Sequence, residues 1–428
     1  MTGSLRLAVT VAVFATTLIL VVLRPRKWNE AWWTVLGAAV MLALGLVSPR
    51  EALEATLDGK SALLFLLSLL GLSLLIGKSG FFDWAAIRCA RIARGNARAL
   101  YRNAFLLGAM VTAVLSLDTT AVILTPVVLA LVKRLKLPAL PYVALCAFVA
   151  NVGSLLLPIS NLTNILFADA FHLTFATYAL HMVAPQLVAL ATTYGVLRWS
   201  FRRELPERFD GEALPEPRSV VPHHGYFVAC VAVLIVVLVG YFLAPLAGIE
   251  PYVVAFASCA VLGVAGAVTK RVRFGAVLEL SWGVFPFVVG LFIAVRGLEN
   301  LGIVARTSAW LGHMRPGSVH KLLAVAAATT LASNVMNNLP AALVARSVLV
   351  SSHAHTGTVL AALVGADVGA MITPFGSLAT MLVFALARRE GEEVDGMRMA
   401  LLGAWAAPLI VVSSTLTLAA VALLIDAM

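Results

Sequence analysis

The feature that most constrains this chain is the recurrence, from its first residues to its last, of apolar stretches long enough to cross a bilayer as a helix. Lipid cannot hydrogen-bond a peptide group, so such a chain folds as helices that satisfy their own backbone. Composition agrees, since 61% of the residues are apolar, only 12% are charged and the mean hydropathy is +0.97. Soluble domains carry charge on about a quarter of their residues. No soluble domain of useful size is left over. The first stretch, Leu7 to Leu23, lacks a basic leader and a small-residue cleavage site, and a basic cluster follows it. It reads as a retained span with the N-terminus outside.

Ten full spans are expected, near residues 5–23, 32–49, 61–79, 140–168, 180–199, 225–243, 251–268, 282–298, 357–386 and 399–425. Two further apolar stretches, about 104–130 and 322–350, are interrupted by Asp118-Thr-Thr with Pro126 and by Asn334-Val-Met-Asn-Asn with Pro340, and these read as re-entrant hairpins. Basic residues orient the whole. With the N-terminus outside, most of the 31 Lys and Arg residues fall on the inner side, in clusters at Arg24, Arg26 and Lys27, at Lys78 to Arg102, at Lys133 to Lys136, at Arg198 to Arg218, at Lys270 to Arg273 and at Arg388 to Arg398. Making either polar-centred stretch a full span would strand a later cluster outside. The net charge of +10 therefore reflects membrane orientation, and no nucleic-acid partner is expected.

The polar connection at 200–224 divides the chain into a first repeat, 1–199, and a second, 225–428, each with five spans and one hairpin. Five is odd, so the second half enters the membrane from the opposite side. The expected fold is an all-α membrane protein of ten transmembrane helices and two re-entrant hairpins, in two inverted-topology repeats, with both termini periplasmic. The segments after the hairpins, Asn151 to Asn161 and Gly365 to Ser377, both carry Gly and Pro in mid-span, so broken helices are expected there, with Gly153, Pro158, Gly369, Pro374 and Gly376 as the breakers.

Such breaks free backbone dipoles at mid-membrane, where transporters bind their cargo. Asp118 and Asp367 lie in this zone, and an intramembrane carboxylate costs about 2.5–3.5 kcal/mol on insertion scales, so both are candidates for proton coupling. Around them stand Asn151, Ser160, Asn161, Asn164, Asn334, Asn337, Asn338, Thr373 and Ser377 as candidate substrate ligands, with Thr119 and Thr120 as scaffold. This lining is neutral, and no cluster of Arg or Lys sits in it. Arg296 and Arg346, at the membrane edge, are expected to snorkel to the interface rather than pair with a buried carboxylate. From Arg88 to Arg102 arginines recur every three or four residues, which predicts one interfacial helix with a basic face.

Cys89, Cys146, Cys230 and Cys259 show no CxxC spacing, and His223-His224 and His353-x-His355 lack carboxylate partners in sequence, so no metal or cofactor is expected. The Gly-Lys-Ser at 77–79 has the wrong glycine spacing for a phosphate loop. HExxH and GxSxG are absent, and the chain reads as a transporter rather than an enzyme.

Four motifs, Asp118 to Pro126, Ser160 to Ile165, Met336 to Pro340 and Gly365 to Thr380, make the chain resemble the bacterial arsenite and antimonite efflux permeases (arsenical pump membrane proteins) of the ion transporter superfamily. The resemblance implies export of trivalent arsenite and antimonite in exchange for protons across the bacterial inner membrane, by elevator-like movement of a domain carrying both hairpins. In some relatives a soluble ATPase docks from the cytoplasm. The chain departs from the family pattern at Leu117, where an Asn is usual, and at Met371, where a Lys is usual. Arsenous acid is an uncharged trihydroxide at neutral pH, and amides and hydroxyls can replace its hydration. A carboxylate or other anion carrier of the superfamily and a passive channel for neutral solutes are the alternative readings.

Overall fold

A computed structural model describes residues 3–23, 25, 28–211 and 214–427. The basic cluster at Arg24, Arg26 and Lys27 lies outside the described residues. Among those described the fold is helical, with a single isolated antiparallel bridge between Asn96 and Arg208. The first half runs α1 (Gly3–Leu23), α2 (Glu30–Ala43), α3 (Pro49–Asp58), α4 (Lys60–Lys78), α5 (Phe81–Ile92) and α6 (Ala97–Val114). After a break come the single turn α7 (Leu117–Thr119), a π turn at Thr120–Leu124 and α8 (Thr125–Arg134), then α9 (Ala139–Val152), α10 (Leu162–Ala170) and α11 (Phe175–Ser200). The second half runs α12 (His224–Leu243), α13 (Pro251–Val268), α14 (Val284–Glu299), α15 (Ile303–Gly312), α16 (Val319–Met336), α17 (Asn338–Ser351), α18 (Thr356–Leu363), α19 (Leu378–Arg389) and α20 (Gly396–Asp426).

Seven of these, α1, α4, α11, α12, α13, α16 and α20, are long and apolar enough to cross a membrane. Six of them are spans expected from the sequence, whereas α16 is the first arm of the stretch expected to be the second hairpin; of the other expected spans, 282–298 forms the 16-residue α14 and three depart from single straight helices. The segment 32–49 is helical only to Ala43, because the chain closes there in a Schellman motif: Gly45, at φ +64°, donates its N–H to Leu42 and Leu46 donates to Met41. Ser48 then opens α3 with a capping box to Glu51 and Pro49 in the first turn. The segments 140–168 and 357–386 are each broken, as their glycines and prolines require. In the two stretches expected to be hairpins the helix breaks at Leu115-Ser116 and at Asn337, with segments 97–134 and 319–351 on either side of the breaks.

The arginine-rich segment 88–102 is not one helix. Arg94 and Gly95 both take positive φ, and Asn96 caps a new helix by accepting from the Ala99 N–H. Arg88 and Arg91 thus end α5, while Arg98 and Arg102 begin α6. The connection at 200–224 docks into this corner. Phe209 N–H donates to Gly95, Ala97 N–H donates to Glu207, and Arg91 donates to the carbonyls of Leu214 and Pro215. Phe201, Leu205, Phe209 and Leu214 are buried there. Arg296 also departs from expectation: its guanidinium binds Asp58 at 3.0 Å and Glu299 at 3.0 Å instead of reaching free to the interface.

Contacts between the halves are reciprocal. α2 packs most extensively on α14, and α13 on α4, while α11 lies along α20. The arms of each hairpin pack against the broken span of their own half, α6 on α9 and α16 on α18 with the π turn at Val364–Val368. The first broken span is buried almost throughout, whereas the second stays partly open at Thr373 to Phe375.

Gly80, which ends α4 at φ +79°, gives a test of the docked connection, because a Cβ there would come within 2.5 Å of the Val220 carbonyl. Gly80→Ala forces a left-handed conformation worth about 1–2 kcal/mol and pushes the connection away. Limited proteolysis is expected to cut the variant within 205–222 faster than the wild type, whereas Gly211→Ala, in open space, leaves the rate unchanged.

Candidate functional site

At the first hairpin the chain leaves α6 at Leu115, and Ser116 is fully extended, with its hydroxyl accepting from the Thr119 N–H at 3.1 Å. A π turn follows because Pro126 cannot donate to the ladder and its ring crowds the preceding turn. Thr119 Oγ shares hydrogen bonds with Ser73 at 2.6 Å and Ser116 at 2.9 Å, and Thr120 Oγ shares one with Thr112 at 2.8 Å. The two threonines thus hold the turn. Between them and the break stands Asp118, half-buried and without a hydrogen bond or ion pair to any described residue.

The second hairpin turns on Asn337, whose φ of +76° is uncommon for a residue with a side chain. Its amide donates to the Phe375 carbonyl at 3.0 Å, and the next N–H, that of Asn338, donates to the Gly376 carbonyl at 2.8 Å. The tip is thereby tied to the second broken span. Asn334 closes the same break from the helix side. Its amide donates to the carbonyls of Thr330 and Gly369, and its oxygen accepts from the Thr373 N–H at 2.8 Å.

In the first broken span Asn164 does the matching work, donating to the carbonyls of Ser154 at 2.6 Å and Leu157 at 3.2 Å. Ser160 donates to the Ala113 carbonyl, which the hairpin break has freed. Asn161 caps α10 by accepting from the Thr163 N–H. Gly153 and Gly369 let α6 and α16 approach. A Cβ on either would meet Thr112 at 2.9 Å or Thr330 at 2.2 Å. Gly376 lies against the Ala370 carbonyl, while Pro158 and Pro374 stand at the two breaks.

Of the polar contacts between the halves, two lie at the broken spans. Asp367, fully buried in the π turn at Val364–Val368, accepts from Thr163 Oγ at 2.9 and 3.1 Å, with the side chains of Asn161 and Asn338 close beside it. Asn151 donates to Thr380 Oγ at 3.0 Å. The structure thus gathers Asn161, Asn338 and Asp367 in one cluster, and Asn334, Asn337 and Thr373 around the second break. Asp118 and Asp367 are not joined. Sequence reasoning missed Thr163 and Thr380, although both lie within the motifs it singled out, directly after the breaks. Among the described residues, polar atoms buried here without a partner include Asn164 Oδ1, Thr373 Oγ1 and Ser377 Oγ. Among the described residues no group of three or more His, Cys, Asp or Glu side chains converges as a metal site would require. The arrangement offers a neutral set of donors and acceptors beside one buried carboxyl, suited to a small polar solute rather than to a multiply charged anion.

The fold resembles the Alcanivorax borkumensis YdaH transporter, whose crystal structure has an unusual topology, with a TM-score of 0.60 at 17% identity over 95% of this chain and 98% of that one. The arsenical pump membrane protein of Escherichia coli K12 is 33% identical over 380 residues, which cover 87% of this chain and 89% of that protein. A putative arsenical pump membrane protein of Bacillus subtilis is 23% identical over 407 residues, 89% of this chain and 92% of the relative. The family model for arsenical pump membrane proteins matches residues 8–426. The buried, broken-helix core thus belongs to a multi-pass membrane transporter, and the chain is a member of the arsenical pump membrane protein family.

Proposed function

We propose that this protein exports trivalent arsenite and antimonite as neutral hydroxides from the bacterial cytoplasm, coupled to proton entry through Asp367 and Asp118. The observation that carries the reading is the Asp367 cluster. A carboxyl fully buried among a threonine hydroxyl and two amides can hold or release a proton without any cation beside it. Substrate binds at the adjacent breaks, where Thr373 and Ser377 keep unspent hydroxyls and Asn164 an unspent oxygen. An uncharged trihydroxide both donates and accepts, so it matches these groups with little desolvation cost. Soft thiolate ligation is not needed. Cys146, the cysteine nearest this core, lies on α9 and is wholly buried in apolar packing.

An inverted repeat and an elevator-like movement complete the proposal. In their support, Asn151, Gly153, Pro158 and Asn161 stand in step with Asp367, Gly369, Pro374 and Ser377 at one constant spacing. Each broken span reaches into the first turn of the other half's following helix, through Asn151–Thr380 and Thr163–Asp367. Hairpins 97–134 and 319–351 travel with the broken spans to which they are tied, against a frame of α1, α2, α4 and α12 to α14. Carriage between the two faces then moves the site, with Asp367 neutral in one direction and free to rebind a proton in the other. Asp118, half-buried and held in place by no described residue, serves as the entry point of the proton. A soluble ATPase can energise the same cycle from the cytoplasmic face.

Everted membrane vesicles expressing the protein test this. Asp367→Asn and Asp118→Asn are expected to insert normally and to lose arsenite uptake driven by a pH gradient; wild-type uptake with the same pH dependence in either variant would remove that residue from coupling. Thr163→Val leaves the carboxyl without its hydroxyl donor and is expected to weaken apparent affinity or coupling by about 1–3 kcal/mol, with Thr163→Ser restoring it. The asparagines separate by role. Asn334→Ala, which strips three hydrogen bonds from the broken backbone, is expected to lower the yield of folded protein, whereas Asn161→Ala folds and binds arsenite more weakly.

A further inference from the structure

Away from the transport site, a cavity of about 390 Å³ opens where α11 runs into the connection at 200–224. It is lined by Arg98 and Tyr101 of α6, Tyr194 and Arg198 of α11, and Arg202, Arg203 and Leu205 beyond it. Four guanidinium groups face it, and among the described residues no carboxylate does. The nearest acids are engaged at its rim: Glu204 binds Arg398, and Glu207 lies 3.5 Å from Arg98. Arg198 and Arg203 bind no described residue, and Arg202 rests 5.3 Å over the ring of Trp199. Like charges gathered around an enclosed space repel one another unless an anion fills it.

The depth of the cavity identifies the anion. Trp199 and Trp405 meet edge to face at 5.7 Å and stand 59% and 42% exposed on the outer surface of the bundle. Tryptophan collects at the headgroup level of a bilayer, so the cavity opens where lipid phosphates lie. Its walls are mixed. Arginine forks match the two free oxygens of a phosphodiester, while Leu205 and the tyrosine rings offer apolar surface for a glycerol backbone.

We propose that this cavity binds the phosphate headgroup of an anionic phospholipid, joining the first arm of hairpin 97–134 to α11 and to the docked connection. A free phosphate would use the same guanidinium groups, but it would leave most of the space and its apolar walls unfilled.

Native mass spectrometry of the full-length protein, delipidated and offered phosphatidylglycerol or phosphatidylcholine, tests the site. Wild-type protein is expected to retain phosphatidylglycerol about tenfold or more in preference to phosphatidylcholine. The variant Arg198→Gln/Arg202→Gln/Arg203→Gln loses that preference, and Arg388→Gln/Arg389→Gln, which removes exposed charge outside the cavity, keeps it. The single variants Arg198→Gln and Arg203→Gln, each expected to weaken retention, serve if the triple variant folds poorly. Unchanged preference in the triple variant would overturn the proposal. So would displacement of the lipid by excess inorganic phosphate, which would assign the cavity to a soluble anion.

Discussion

The structure depends on one constraint: a helix broken inside a bilayer strands peptide groups that no water can reach, and each one left unmet costs several kcal/mol. Four breaks occur here, two at hairpin tips and two in the spans that follow them. The chain meets the cost with asparagine and serine side chains placed within a turn of the fracture. Asn334 alone serves three backbone groups, and Asn164 serves two. A carboxamide suits the task because it carries two donors and an acceptor without charge. Much of the polar lining of the core is therefore occupied in holding the backbone, and the proposed site is drawn from the groups left over and from the buried carboxyl beside them. These are the carboxyls of Asp118 and Asp367, the hydroxyls of Thr373 and Ser377, and one oxygen of Asn164.

The same constraint couples the halves. Thr163 follows the first break and Asp367 precedes the second, so the hydrogen bond between them links two fractures that lie far apart in sequence. Asn151 and Thr380 make the reciprocal link. In the proposed cycle, two such bonds in low dielectric, together with the tips tied to the broken spans, make the central elements respond together to a change at one of them. A proton on Asp367 alters what Thr163, Asn161 and Asn338 can donate to. In the proposed cycle that is how proton and solute occupancy come to depend on one another.

Much of this was legible in the sequence because lipid allows few solutions. Apolar length announced most of the spans, and Gly and Pro recurring between amides in both halves announced the breaks. Details set by local geometry were less legible. The second span ends at Ala43 because Gly45 enters the left-handed region, a choice that hydropathy does not register. Arg88 to Arg102 has helical periodicity throughout, yet Gly95 and Asn96 divide it, and the polar connection at 200–224 docks in the resulting corner. Arg296 looked like a snorkelling side chain because its partner Asp58 lies in a distant segment. Thr163 and Thr380 escaped notice for a related reason. A threonine after a helix break reads as a cap, and its partner in the other half appears only when the two halves are folded together.

The most direct test of the account is arsenite transport by purified protein in liposomes with imposed pH, sodium and voltage gradients. The account predicts uphill movement of arsenite opposite to the proton gradient, abolished when a protonophore collapses that gradient and indifferent to sodium. Simple equilibration of arsenite under every gradient, or accumulation that follows sodium instead, would contradict it.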